Sequence, residues 1–454
     1  METTNQTADV VVIGAGLTGL TTAYMLAQQG KQVVVIEKEE RIGGQIKTLH
    51  ENGYTFEAGP NTGVLSHIEA INLFETLADH CEIEIANQQA KKRLIWKAGQ
   101  FHALPHNLSS AIATPLFSWY DKLRILGEPF RSKGTDKNES VGALARRRLG
   151  KSFLNYAVDP FLSGIYAGDP HQLVTRFALP KLYNLEQNHG SFIRGAIAKK
   201  KTQTDADKKV TKDVFSAKGG LEAIVKALAS QLPSNAIQLG CSSVTIMPDG
   251  DAWMVSFTQK GKPQHVKAQK VITTVPGFEL ESLLPFVDKT MLEPITSLVY
   301  APVIQASVGV KATNQSQFNA FGGLVPSIEK RNVLGILYPS ACFEKRSPEG
   351  SVLFSFFMGG VKHPEILNKS TGEIRQLIYD ELEQMLHLRT EDIEMLHVFK
   401  YEKAIPQYRA DSELRYKMIQ QIQQQYQGLI LAGNIRDGIG MADRIKQGCN
   451  IASL

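Results

Sequence analysis

Bare backbone is the first chemical resource in this chain. Gly14-Ala15-Gly16-Leu17-Thr18-Gly19 follows the apolar run Val10-Val11-Val12-Ile13 and opens a stretch of helical character. At that spacing Gly14 permits a tight strand-to-helix turn, Gly16 lets a diphosphate approach the main chain, and Gly19 lets helix and strand pack closely. The spacing predicts a helix from about Leu17 to Gln29, whose positive N-terminal end would face the phosphates. The strand at 32–36 then ends at Glu37, a carboxylate able to accept both hydroxyls of an adenosine ribose. An acid there favours FAD or NAD over NADP. The expected dinucleotide contacts are Gly14 to Gly19, Glu37 and the adjoining Lys38.

Two more glycine clusters follow. They are Arg41-Ile42-Gly43-Gly44-Gln45 and Glu57-Ala58-Gly59-Pro60-Asn61-Thr62. Alone, each reads as an ordinary turn. Just past a ribose-binding strand, they resemble the second fingerprint of FAD-dependent amine oxidases, phytoene desaturases and porphyrinogen oxidases, where it lies along the flavin diphosphate and ring. That resemblance implies FAD, with Gly44, Gln45, Gly59, Pro60, Asn61 and Thr62 beside it. The tail is similar to the last FAD-contacting segment of the same group: Leu429-Ile430-Leu431-Ala432, then Gly433-Asn434 and Asp437-Gly438-Ile439-Gly440-Met441. It implies contacts at Gly433, Asn434, Ile439, Gly440 and Met441. A helix N-terminus there would stabilise negative charge on the N1–C2 edge of a reduced flavin.

The middle of the chain resembles oxygen-dependent protoporphyrinogen oxidases and the related coproporphyrinogen III oxidases. The resemblance rests on Asp159-Pro160 through Gly164 to Gly168-Asp169-Pro170, on Phe177 to Pro180, Phe321 to Pro326, Leu334 to Tyr338, Phe357 to Gly360 and Ala404 to Tyr408. These motifs occur in order over nearly the full length, and several are absent from amine oxidases and desaturases. The resemblance implies that Arg93 pairs with a substrate propionate and that Gly164 lies under the macrocycle. It also implies that Leu324, Leu334 and Phe357 form apolar walls, that Val244 holds the adenine and that Tyr401 contacts the flavin. Two departures stand out: Arg409-Ala410-Asp411 replaces a common Gly-His pair, and Gln45 stands where many relatives carry Arg or Trp.

The implied reaction is the six-electron oxidation of protoporphyrinogen IX or coproporphyrinogen III to the porphyrin, in three two-electron flavin cycles with dioxygen as acceptor and hydrogen peroxide as product. No side chain need be catalytic in the covalent sense, because the flavin carries the chemistry. The alternatives are an amine oxidase or carotenoid desaturase on the same scaffold, and a non-catalytic tetrapyrrole-binding protein.

The elements that must position these residues follow from pattern. The fold class expected is α/β (α+β): a discontinuous Rossmann-like FAD-binding domain with a mixed-sheet substrate domain and a helical insertion. The FAD domain is expected from residues 1–90, 213–280 and 401–454, the helical part from 91–212 and the substrate domain from 281–400. The hairpin Arg93–Trp96 with Gln100–Leu104 falls in the helical part, and the charged run Lys199–Lys209 reads as a loop. At 454 residues, two or three domains are expected. With 43% hydrophobic and 21% charged residues the chain is globular, and a net charge of +5 gives no case for nucleic acid.

Four dispersed cysteines point to a reducing compartment, and the eleven histidines show no metal spacing. The polar N-terminus lacks a secretory pattern, and no apolar run reaches the ~18 residues of a membrane span. The expected location is cytoplasmic. The apolar residues Leu108, Ile112, Leu116, Phe117, Trp119, Leu123, Ile125 and Leu126, beside Lys122 and Arg124, suit either a peripheral membrane contact or packing over the substrate pocket. Partners expected are a tetrapyrrole and dioxygen. A homodimer is compatible with the chain.

Overall fold

Two seven-stranded sheets organise the molecule. The computed structural model describes residues 4–201, 204, 208–312 and 314–454, with the side chains of residues 4, 5, 89 and 108 set aside. At the centre of the first sheet, Thr4–Ile13 runs parallel to Val33–Ile36 on one side and Lys262–Thr273 on the other. Ile237–Gln238 extends it beyond Val33–Ile36. The antiparallel pair Ala252–Gln259 and Cys241–Asp249 completes it past Lys262–Thr273, whose end also pairs in parallel with Leu429–Leu431. Beginning, middle and end of the chain therefore share one sheet.

Alternation explains why. Val10, Val12, Val33 and Val35 face the helices Leu17–Gln28, Glu222–Ser230 and Met441–Ala452. Val11, Ile13, Val34 and Ile36 face Leu280, Leu292, Ile419 and Ile422. A parallel strand covered on both faces needs this continuous apolar run.

The second sheet has the order Ile393–Pro406, Tyr300–Lys311, Ser351–Gly359, Gly335–Leu337, Gly322–Leu324, Arg93–Lys97, Gln100–Ala103. One face is covered by the helix Thr371–Leu386, which buries Ile374, Ile378 and Leu382 at helical spacing. Ser370 and Glu373 cap its start reciprocally.

Several sequence expectations shift. The hairpin at 93–103 joins the second sheet instead of the helical part, because Arg93–Ile95 supplies the parallel partner that Gly322–Leu324 needs. Residues 280–298 pack on the first sheet through Leu280, Leu283, Leu292 and Ile295. The strand Ile393–Pro406 carries residues 401–406 within the second sheet. Lys199–Lys201 close the helix Phe192–Lys201, where basic residues suit a C-terminal end; residues 202, 203 and 205–207 of the expected loop lie outside the described part.

The helical segment includes Val141–Arg148, Asp159–Tyr166 and Pro180–His189. It is tied by the fully buried Arg148, which pairs with Glu128 at 2.7 Å and Glu186 at 2.6 Å. In the apolar stretch, Leu116 and Phe117 are buried beside Ile95 and Leu324, whereas Ile112, Trp119, Leu123 and Leu126 are exposed. The side chain of Leu108 lies outside the described part. Each reading of that stretch thus fits a different subset of its residues. No helix among the described residues is long and apolar enough to cross a membrane.

Candidate active site

A Cβ on Gly19 would lie 1.9 Å from the Gly14 carbonyl oxygen, so only glycine lets this helix approach its strand. A Cβ on Gly16 would meet nothing within 4 Å, which leaves the cradle open at that point. Buried Glu37 accepts from the Ala15 N–H at 2.7 Å and the Glu39 N–H at 3.0 Å, holding its carboxylate at the lip of the turn. Ala15, Leu17 and Thr18 are buried behind it. Lys38 turns away and pairs with Glu279 at 3.0 Å.

The second glycine pair sits directly on the first. Gly43 N–H donates to Ala15 O at 2.8 Å, and a Cβ on Gly44 would come 3.2 Å from Gly16 Cα. Arg41 fixes this loop by donating to Gly44 O at 2.6 Å and Ile46 O at 3.0 Å. Gly59 has φ +144°, and a Cβ there would meet Gln45 O at 2.1 Å; the Gln45 side chain itself is exposed. Asn61 Nδ2 donates to Gly59 O at 3.0 Å, while its buried Oδ1 has no partner. Pro60 and Thr62, on either side, are half-buried.

Val244 lies in a bulge: the register steps from Ser242–Thr258 to Thr245–Ser256, with Ser243 at φ +51°. Such a bulge re-aims a residue out of regular pairing. At the tail, Gly433 N–H donates to Gln447 at 2.8 Å, and Asn434 Oδ1 accepts from Tyr300 at 3.3 Å. Ile439 packs against the buried cluster that contains Leu162, Tyr166 and Tyr408, joining tail and helical segment. Gly440 starts the final helix, in which Met441 is buried. Burial opposes ionisation of Asp443, yet hydrogen bonds from His67 and the Gly440 N–H hold its carboxyl below the usual range.

The face of the second sheet opposite the helix Thr371–Leu386 brings the remaining candidates together. Register places Arg93, Leu324, Phe357, Gln305 and Tyr401 on one face. Along Ser351–Gly359 every residue is buried except Phe357, and Leu324 and Leu334 are also half-open. Leu334 packs with Phe357 and donates its N–H to Phe357 O at 2.7 Å. Exposed Arg93 stands at one end over the Phe321 ring, with no carboxylate paired to it among the described residues. At the other end Gln305 donates to Glu57 O at 2.6 Å and accepts from Gly59 N–H at 2.9 Å. The helix Asp159–Tyr166 overhangs this face: Gly164 is exposed, and a Cβ on it would sit 2.6 Å from Leu324 Cδ2. Burial raises the Tyr401 hydroxyl pKa, and the positive charge of Arg41 opposes that shift.

Residues 17–454 match the model of the flavin-containing amine oxidoreductases. The chain belongs to that family. Among curated relatives, the mitochondrial protoporphyrinogen oxidase of Nicotiana tabacum is 30% identical, the match covering 98% of this chain and 94% of that protein. The coproporphyrinogen III oxidase of Bacillus subtilis (strain 168) is 24% identical over 97% and 96%. A solved structure from Exiguobacterium sp. 255-15, carrying a provisional protoporphyrinogen oxidase name, shares the fold with a TM-score of 0.80, 21% identity and coverage of 100% and 99%.

The protein is an FAD-dependent oxidoreductase of mixed α/β fold. The open side of Gly16, the lip carboxylate of Glu37 and the orphaned Asn61 Oδ1 suit a dinucleotide laid along both glycine loops. Sequence reasoning missed Gln305, although a lone amide inside the apolar run Val303-Ile304-Gln305-Ala306 was a visible signal. It also missed Arg41 as the clamp of the second loop, for which its place before Gly43-Gly44 gave only weak warning.

Proposed function

We propose that this flavoprotein oxidises a porphyrinogen, protoporphyrinogen IX or coproporphyrinogen III, to the porphyrin, with dioxygen as acceptor and hydrogen peroxide as product. The observation that carries this reading is the single sheet face running from Arg93 through Leu324 and Phe357 to Gln305, which holds the Gly59 loop. A large apolar macrocycle with carboxylate side chains needs a broad apolar wall and a cation at one edge. The names of the two curated relatives point to the same substrate class.

Bound FAD would supply hydride acceptance and reduction of dioxygen. The chain's own residues do the rest. Arg93 offers a planar fork to a propionate. Leu324, Leu334 and Phe357 bury the ring and exclude water, while exposed Gly164 brings the overhanging helix down onto Leu324 beside the ring. Gln305 fixes the spacing between this wall and the Gly59 loop, so the reacting carbon is held at a constant distance.

The test supplies each porphyrinogen in air to the purified holoenzyme and follows porphyrin fluorescence and peroxide. Porphyrin formation with matching peroxide is expected. Turnover of an amine or a polyene with neither porphyrinogen oxidised would overturn the assignment.

The same proposal places the protein in the cytoplasm, resting on a membrane surface. Exposed Trp119, Leu123, Leu126 and Phe130, with Lys122 and Arg124 between them, support that contact. Free thiols at all four cysteines suit a reducing compartment.

A further inference from the structure

The loop between the last strand of the first sheet and the final helix has an unusual hydrogen-bond account. Its carbonyls are claimed almost in succession. Arg444 donates to Gly433 O, and again to Arg436 O at 2.8 Å. The Tyr408 hydroxyl lies 3.0 Å from Asn434 O and 2.9 Å from Gly438 O, and its single proton is shared between these two acceptors. Arg415 donates to Ile435 O at 3.0 Å. The three donors are contiguous, since the Arg415 guanidinium lies 5.6 Å from the Tyr408 ring centre and Tyr408 is within electrostatic reach of Arg444.

Planar peptides set C=O and N–H in opposite directions. Drawing these carbonyls toward Arg444, Tyr408 and Arg415 turns the following amides away from them. The N–H groups of Ile435, Asp437 and Ile439 have no acceptor among the described residues. The donors themselves are costly to keep. Arg415 is fully buried, its Nη1 in a long ion pair with Asp411 at 3.8 Å, and Arg444 Nε has no hydrogen-bond partner among the described residues. Among those residues Arg444 makes no ion pair; Asp443 and Asp437 act on it only at longer range. Two buried guanidiniums that bond mainly main-chain oxygens, with Ser412 and Gln447 as side-chain acceptors, are hard to explain by stability alone, because burial of a weakly paired cation opposes folding.

We propose that Arg444, with Tyr408 and Arg415, is a positioning residue that aims the amides of the Gly433–Ile439 loop at bound FAD and lends that site positive charge. The inference rests on the FAD assignment and is independent of the substrate. Aimed N–H dipoles and a nearby cation favour the more negative, reduced cofactor over the oxidised one. They also tighten binding of the diphosphate-bearing molecule as a whole.

The test uses full-length protein stripped of FAD and reconstituted, comparing the parent with Arg444→Met, Arg444→Lys and Tyr408→Phe. FAD affinity is read by fluorescence quenching and the midpoint potential by dye equilibration, neither of which needs a porphyrinogen. Arg444→Met should bind FAD about tenfold more weakly, the loss expected for charge-assisted hydrogen bonds. Its potential should fall by about 30 mV, the two-electron equivalent of a tenfold preference. Arg444→Lys should recover part of both, since charge returns without the fork. Tyr408→Phe keeps the buried ring and should lower the potential in the same direction, so the test survives if Arg444→Met fails to fold. An unchanged potential in FAD-loaded Arg444→Met, or in both Arg444→Lys and Tyr408→Phe, overturns the proposal. Loss of porphyrinogen turnover in the parent would bear on the proposed function alone.

Discussion

Arg93 and Gly59 show how differently single residues act here. Arg93 is exposed at the start of its strand and held by no carboxylate among the described residues, so its fork is available to a ligand. Arg93→Ala should therefore raise KM for a carboxylate-bearing substrate about tenfold, the scale of one charge-assisted pair, and leave bound FAD unchanged. Steady-state kinetics beside the flavin absorbance checks both, and an unaltered KM removes Arg93 from the substrate site. Gly59 is the opposite case, fixed by its backbone. With φ +144° and Gln45 O 2.1 Å from any Cβ, Gly59→Ala must shift the loop that Gln305 holds. The cost should be roughly 2–4 kcal/mol, with loss of FAD content, measured by denaturation and by flavin-to-protein ratio. At this scale the sequence was informative wherever a backbone demand dictated the residue. Glycines at 14, 19, 44 and 59 were legible because a close approach or a positive φ excludes a side chain there. Lys38 was not, since nothing local says that a surface lysine will turn to Glu279.

Elements carry a different kind of information. The helix Glu222–Ser230 begins against Glu57, whose carboxylate accepts from Leu221 N–H at 2.8 Å and from Thr48 at 2.7 Å. Burial pushes the Glu57 carboxyl up to about 7, against the pull of the Leu221 amide, Thr48 and Arg346. An acid whose folded pKa is raised binds its proton more tightly when folded. Its contribution is therefore complete below the unfolded value near 4.5 and is lost as pH rises through about 7. Glu57→Gln should remove that slope, worth at most about 3 kcal/mol between pH 4.5 and 8. Urea denaturation at the two pH values checks it; parallel losses in parent and variant would show that Glu57 does not titrate in this range. The helix Leu17–Gln28 was readable because the glycine turn before it fixes where it starts. The strand pairing of Arg93–Lys97 was not. A hairpin's local pattern fixes its two strands to each other and says nothing about which sheet edge receives them.

For the whole molecule, the consequential arrangement is an apolar sheet face roofed by the helical segment, with a second apolar surface turned outward. Leu116 and Phe117 point into the first and Trp119, Leu123 and Phe130 into the second, Trp119 being 65% and Phe130 84% exposed. Replacing Trp119, Leu123 and Phe130 together by Ser should abolish sedimentation with anionic lipid vesicles while detergent-solubilised activity stays within about twofold of the parent. Equal sedimentation of both proteins would rule out this surface as the contact. The sequence alone located the glycine turn, the acid at the strand end and the motifs of the family, because each is a short-range constraint: a turn, a close approach, a strand end. It also suggested that the cofactor domain closes at the far C-terminus. Only the tertiary structure decided that Arg93, Leu324, Phe357 and Gln305, spread over more than half the chain, share one face of one sheet. It alone decided that the Gly433–Gly438 carbonyls belong to Arg444, Tyr408 and Arg415. Those facts are set by register and by which buried polar group reaches which partner. The first depends on chain segments up to hundreds of residues apart meeting in space and the second on contacts between separate elements, and no local pattern encodes either meeting.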